Sequence, residues 1–213
     1  MLAYLFKTLY QKNNKMETPN VELMQMARQS LAGKWGLAIG TLFGSMLIFG
    51  LLCVIPILGQ LGALLLAGPY MLGLATFSLN IARDEDAQFE QVFKGFNNFA
   101  TALGLYLLQA IIVFLFTLLL IVPGVMRAIS YSMSYYILAD NPGMAAMEVL
   151  DESKRMMEGY KMKYFRLMLR FFGLSLLCIL TLGIGYLWLA PYIQVTHAKF
   201  YEDLKKIHGE ELI

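Results

Sequence analysis

Apolar residues run almost unbroken along this chain for about 20 positions at a time, the length an α-helix needs to cross a bilayer, and charged residues collect between the runs. Residues 35 to 55 (WGLAIGTLFGSMLIFGLLCVI) and 57 to 81 (ILGQLGALLLAGPYMLGLATFSLNI) contain no charge, with Pro56 and Gly59 at their junction. That pattern predicts a helical hairpin. Residues 99 to 122 are again uncharged and end at Pro123-Gly124, a pair that breaks a helix and turns the chain. A return over 126 to 139 completes a second hairpin, and Tyr164 to Leu182 with Ile184 to Phe200 makes a third, its tip at Gly183 and Gly185. The pattern therefore predicts an all-α polytopic membrane bundle of six transmembrane helices in three hairpins, the fourth and sixth helices short.

Amphipathic cytoplasmic entry helices are expected before the hairpins. The best defined starts after Asp140, where Asn141 can cap it and Pro142 suits its first turn. Met147, Leu150, Met157 and Tyr160 supply its apolar stripe, and Asp151 and Arg155 a solvated i, i+4 pair. A connector on the membrane is the favoured reading, a docking surface the other. Leu2, Leu5, Phe6, Leu9 and Tyr10 also follow helical spacing, so the first decade is either an interfacial helix or a loose tail.

A period of about 61 residues links the hairpins: Tyr70, Tyr131 and Tyr192 are 61 apart, and "LAGKW", "VFKGF" and "MMEGY" place Gly33, Gly95 and Gly159 at spacings of 62 and 64. This points to a threefold internal repeat of entry helix plus hairpin. Chance is its rival, since Tyr and Gly are common here.

Composition makes the membrane reading firm: 58% of residues are hydrophobic and 15% charged, against roughly 45–50% and about 25% in soluble domains. Charge then orients the helices. Sixteen of the seventeen Lys and Arg fall before, between or after the hairpins or, like Arg166, Arg170 and Lys199, just inside their cytoplasmic ends, and Arg127 alone falls on the other side. By the positive-inside rule this predicts a plasma-membrane protein with both termini cytoplasmic. The expected divisions are a cytoplasmic segment over 1–34, a membrane domain over 35–200 and a cytoplasmic tail over 201–213. No secretory signal is evident. Topology accounts for the pI of about 8.4, so no nucleic-acid partner is called for.

The distribution of chemistry argues against catalysis. All 15 Asp and Glu lie in predicted cytoplasmic segments, which lowers the case for a proton- or sodium-coupled transporter, normally dependent on an ionisable group at depth. His197 and His208 join no cluster with metal-ligand spacing, and Cys53 and Cys178 each stand alone in a span. Asp84, Glu85 and Asp86 read as solvated loop charges. No cofactor is expected.

Two constellations stand out. Gly36, Gly40 and Gly44 form a small-xxx-small face, suited first to packing within the chain and second to dimerisation. Ser130, Tyr131, Ser132, Ser134, Tyr135 and Tyr136, with Tyr192, Gln194 and Thr196, put many polar groups into spans four and six. They either hydrogen-bond helix to helix or line a wet or amphiphile-binding cavity. Arg127, at the outer tip of hairpin two and at the start of the fourth helix, where its charge opposes the helix dipole, is read first as a plain surface anchor and second as holding a phosphate or a carbonyl.

The segments "ARQSLAGKW", "GPYMLG", "FKGF", "IVPGVMRAISYSMSYYILADNP", "MEGYKMKYF" and "GIGYLWLAPYIQVTHAKFYEDL" together resemble a bacterial integral membrane family, domain of unknown function 975, over nearly the whole chain. That family is similar in turn to the membrane domain of some glycerophosphodiester phosphodiesterases, which implies lipid-related work without the phosphodiesterase reaction. No activity comes with the resemblance. The expectation is a non-enzymatic binding or accessory protein whose partners are membrane lipids, a hydrophobic peptide or a membrane complex; a small transporter or exporter is the alternative.

Overall fold

A computed structural model describes residues 18–54 and 58–210. The amphipathic first decade and Pro56 lie outside the described residues. Among those described there are helices and turns and no strand: α1 (Asn20–Ser30), α2 (Trp35–Cys53), α3 (Leu58–Ala82), α4 (Gln91–Lys94), a 3-10 turn (Gly95–Asn98), α5 (Phe99–Leu119), α6 (Ile121–Ser130), α7 (Ser134–Asp140), α8 (Ala146–Met156), α9 (Lys161–Leu180) and α10 (Tyr186–Glu210).

Helix pairs α2/α3, α5/α6–α7 and α9/α10 follow the three apolar pairs of the sequence. Helix α3 is central and packs against α2, α4, α5, α7 and α10. Its contacts are close because glycine removes the side chain at the crossings. A Cβ on Gly73 would lie 1.8 Å from the Val92 carbonyl oxygen, and one on Gly95 would lie 2.0 Å from that of Pro69. The entry segment of hairpin two is thus seated on α3 backbone to backbone.

The second hairpin turns differently from the pattern's forecast. The break falls at Leu120, which is extended at φ −160° and ψ 140°, and Pro123-Gly124 sit in the first turn of α6. Proline fits there because the first amides of a helix have no intrahelical acceptor. Gly124 serves the crossing instead, since its Cβ would lie 2.1 Å from the Thr117 hydroxyl oxygen. The return is itself interrupted by a turn at Tyr131–Met133 before α7 begins.

The helix expected from Asn141 begins four residues later, with Ala145 at its N-cap. Asn141 closes α7 instead, its side-chain amide donating to the Ile137 carbonyl at 3.0 Å. Helix α8 packs on α5 and α7 and buries Val149, Leu150, Ser153 and Met156, whereas Met147 is exposed. Its exposed pair is Arg155 with Glu152 at 2.7 Å, one residue closer along the helix than Asp151. It is part of the bundle's core.

Burial is concentrated toward one end. Helix α5 buries only Ala102 and Leu105, near its start, and leaves Leu118 to Val122 exposed. Helix α9 buries Tyr164, Leu167 and Phe171 in its first half and exposes Leu176, Leu177, Ile179 and Leu180 in its second. The packed core lies where α3, α7 and α10 approach their carboxy-terminal ends, and the hairpin tips present apolar side chains outward, a surface that suits hydrocarbon.

Two helical stretches, Gly59–Ala82 and Gln91–Leu119, are long and apolar enough to cross a membrane, and the pair Asn20–Ser30 with Trp35–Leu51, bent by 93°, makes a third if counted as one span. Length and composition thus support two or three of the six spans. The rest fall short for local reasons. The α6–α7 return is broken, α9 carries Lys161, Lys163, Arg166 and Arg170, and α10 is diluted by Tyr192, Gln194, Thr196 and His197. Helix α10 also continues unbroken through residue 200, where the tail was expected to begin.

Two of the three repeat tyrosines share a setting. Tyr70 packs on Phe49 with ring centroids 4.1 Å apart, and Tyr192 meets Phe171 edge-on at 5.5 Å. Each partner lies 21 residues earlier, in the outgoing helix of the same hairpin; the equivalent residue for Tyr131 is Ala110. Gly33 and Gly159 both adopt the left-handed region, at φ 78° and 84°, where glycine carries no steric penalty. Gly95 is right-handed at φ −58°.

Candidate functional site: a groove between hairpins one and three

A groove of about 690 Å³ is lined by Arg28, Trp35, Leu174, Leu177, Cys178, Thr181, Gly185, Trp188, Leu189 and Tyr192. Its volume falls inside the roughly 300–1,000 Å³ typical of small-molecule sites. One wall is the second half of α9 with the first half of α10; the facing wall is the α1–α2 elbow. The elbow is fastened at both ends. Asn20 donates to the Lys163 carbonyl at 2.8 Å and Thr18 donates to Asp203, while Lys34 donates to the Glu85 carbonyl at 3.4 Å.

The tip of the groove is equally defined. The Thr181 hydroxyl donates to the Cys178 carbonyl at 2.8 Å and accepts from the Gly185 amide at 3.0 Å. This turn is why Gly185 is needed, since a Cβ there would lie 2.7 Å from Cys178 Sγ. The lining is mainly apolar and aromatic. Its polar members are Arg28 at one end, Thr181 at the tip and the Tyr192 phenol. Among the described residues its lining brings no His, Asp or Glu beside Cys178 or Thr181, and no group of three or more His, Cys, Asp or Glu could hold a metal.

Of the residues the sequence offered as ligand contacts, Tyr192 lines this groove, and Cys178 and the tip glycine Gly185 border it as well. The others in spans four and six are spent on helix packing. The hydroxyls of Ser130, Ser132 and Ser134 donate to the carbonyls of Met126, Ile129 and Tyr131, each at 2.8 Å. Thr196 donates to Tyr192 O at 2.7 Å. Tyr136 reaches the Gln194 carbonyl at 3.4 Å and stacks on Tyr201, and Ser153 of α8 donates to Ser130 O at 2.9 Å. Tyr131 is buried, and Tyr135 packs half-buried against the core. The serine and threonine hydroxyls of the interrupted return and of α10 are thereby satisfied, as buried polar groups require, whereas the buried His197 Nε2 has no partner among the described residues.

Arg127 lies with its guanidinium 4.5 Å from the centroid of the Phe116 ring, a cation–π contact. It occupies the last turn of α6, where a cation favours the helix dipole, and not a helix start, because the helix begins at Ile121. Gly36 and Gly40 have nothing within 4 Å of a Cβ position, and Gly44 meets only the Phe89 ring, at 3.4 Å. Close helix approach within the chain uses Gly68, Gly73, Gly95 and Gly124 instead.

Sequence reasoning passed over Arg28, Trp35, Leu174, Leu177 and Trp188. A signal existed: the chain has two tryptophans, both of them in this groove.

At the far end of the bundle a charged clamp closes the core. Arg83 donates to Asp140 at 2.8 Å and to Glu202 at 2.6 Å, Lys205 reaches Asp140 at 2.7 Å, and Lys163 pairs with Asp203 at 2.8 Å. The hydrogen bond to Asp140 holds the Arg83 guanidinium above its ordinary range. Burial works against Asp140 ionisation, and the hydrogen bonds from Arg83 and Lys205 outweigh it, so its carboxyl sits below the usual carboxylate range.

A family model described as Protein of unknown function (DUF975) matches residues 16–130 and 118–208. No curated protein and no solved structure matches the chain. The two matched segments together span residues 16–208, well over half of the chain, so the chain belongs to the DUF975 family of proteins of unknown function.

Proposed function

We propose that this is a multi-pass protein of the bacterial plasma membrane, non-enzymatic, which holds an amphiphile in the groove between hairpins one and three. The observation that carries the reading is the groove's lining: about 690 Å³ of mostly apolar surface, with its polar groups confined to Arg28, Thr181 and Tyr192. A polar end on an apolar trough matches a molecule with a headgroup and a chain. The clamp at Asp140 and the Tyr136–Tyr201 stack fill the bundle beyond it, which favours a side groove over a transport path. In this reading the three hairpins form six spans with both termini in the cytoplasm, and the paired settings of Tyr70 and Tyr192 reflect duplication of one hairpin unit. Reporter fusions after Gln88 and Lys206 check that topology, and an outside signal at either position contradicts it.

The binding test uses the fact that both tryptophans line the groove. In a Cys53→Ser background, the full chain is exposed to phosphatidylcholine carrying brominated acyl chains, and Trp emission is followed before and after alkylation of Cys178. Quenching that falls on alkylation, together with loss of lipid adducts in native mass spectrometry, is expected. Quenching and adducts indifferent to alkylation would overturn the groove as the binding site.

A further inference from the structure

We infer that the occupant of the groove is an anionic phospholipid, its headgroup held by Arg28; this rests on the groove being the ligand site proposed above. The charge balance of the lining is one-sided. Among the described residues Arg28 is its one charged member, and no described Asp or Glu lines it. Four other cations are committed elsewhere: Lys34 to Asp84 and Glu85, Arg83 to Asp140 and Glu202, Lys163 to Asp203, and Lys199 to the Ala82 carbonyl; Arg166 and Arg170 of α9 are not among the lining residues. Arg28, in the last turn of α1, is exposed and makes no ion pair with a described acidic residue. A guanidinium presents a planar fork of donors suited to the two oxygens of a phosphodiester.

Geometry supplies the other half of the argument. The α1–α2 elbow that carries Arg28 is tied to the charged end of the bundle through Lys34, Asn20 and Thr18, while Thr181 and Gly185 close the groove at the hairpin tip. An anion at Arg28 therefore sits beside the polar end, and the chain attached to it runs over Trp35, Leu174, Leu177 and Leu189 toward the tip. The rival headgroup is a quaternary ammonium, which Trp35, Trp188 and Tyr192 could hold through their ring faces. Arg28 repels that cation, and so the inference commits to net negative charge.

The experiment titrates brominated phosphatidylglycerol or brominated phosphatidylcholine into unlabelled phosphatidylcholine vesicles containing the full chain, and reads Trp quenching against mole fraction. The brominated phosphatidylglycerol is expected to saturate at about three- to fivefold lower mole fraction, the advantage of a partly exposed ion pair. Arg28→Gln should remove that advantage, Arg28→Lys should keep part of it, and Lys154→Gln, on the exposed side of α8, should leave it intact. Equal quenching by the two lipids, or a preference unchanged in Arg28→Gln, overturns the headgroup assignment while leaving the groove standing. Absence of quenching by either lipid removes the groove reading itself, and the anionic-lipid inference falls with it.

Discussion

The Arg83 guanidinium donates to the Asp140 carboxylate at 2.8 Å, joining residues that lie 57 positions apart in the chain. The same Asp140 oxygen accepts from Lys205 at 2.7 Å and from the Tyr201 hydroxyl at 3.1 Å, and Arg83 also reaches Glu202 at 2.6 Å. One carboxylate therefore ties the ends of α3, α7 and α10, one helix from each hairpin. With the hairpin tips packed loosely, this end holds the helices together.

Asp140→Ala should lower stability by about 1–3 kcal/mol, less than the full cost of breaking a buried pair because Arg83 remains partly hydrated. Thermal unfolding of the detergent-solubilised protein measures it. Glu202→Gln should cost less, since the Glu202 side chain is 23% exposed against 11% for Asp140. An unchanged Tm in Asp140→Ala would mean that the clamp contributes nothing net.

The same pair sets a pH dependence. Because Asp140 has a lowered carboxyl pKa in the folded protein, its contribution is complete above the unfolded carboxylate value of about 3.9 and is lost as pH falls through the folded value. The stability gap between the native chain and Asp140→Asn should be constant from about pH 5 to 7 and narrow below about pH 4. A gap that widens on acidification would reverse the sign and reject the assignment.

Gly73→Ala should destabilise strongly, by roughly 2–4 kcal/mol, as overpacking against a backbone that cannot yield. Its Cβ would sit 1.8 Å from the Val92 carbonyl oxygen. Gly36→Ala, with nothing within 4 Å, should be neutral or stabilise by up to about 1 kcal/mol through helix propensity. Comparing the two melting curves separates the packed glycine face from the open one; equal losses would place a partner on Gly36.

Arg127→Gln should cost about 0.5–1 kcal/mol from the lost contact with Phe116, and Arg127→Lys less. If Arg127→Gln also releases co-purified lipid, seen by native mass spectrometry, the residue holds a headgroup as well. Unchanged stability and lipid content in both variants would leave it a surface anchor.

Much of the helical layout was readable in advance because it depends on local properties. Apolar runs, their charged boundaries and the glycines near the turns placed α2, α3, α5 and α9 and the start of α10 within a few residues, while α10 runs on past residue 200 to Glu210. Boundaries resting on one residue type were less secure. Pro123-Gly124 looks like a break in a linear reading, yet proline is tolerated in a helix's first turn, and the adjoining Leu120 took the extended conformation instead. The polar residues of spans four and six resembled a cavity lining. Pairing them with carbonyls three and four residues back, and with Ser153 from another helix, consumed their hydrogen bonds.

The amino-acid sequence by itself determined an all-helical, membrane-suited chain with its charges gathered between hairpins, because hydrophobic run length and charge placement act along the chain. The tertiary structure alone decided which glycines touch, which carboxylate joins the hairpins, and that Arg28, Trp35 and Trp188 border one groove. Those outcomes depend on distances between segments far apart in sequence, and on helix crossings that a single strand of residues does not encode locally.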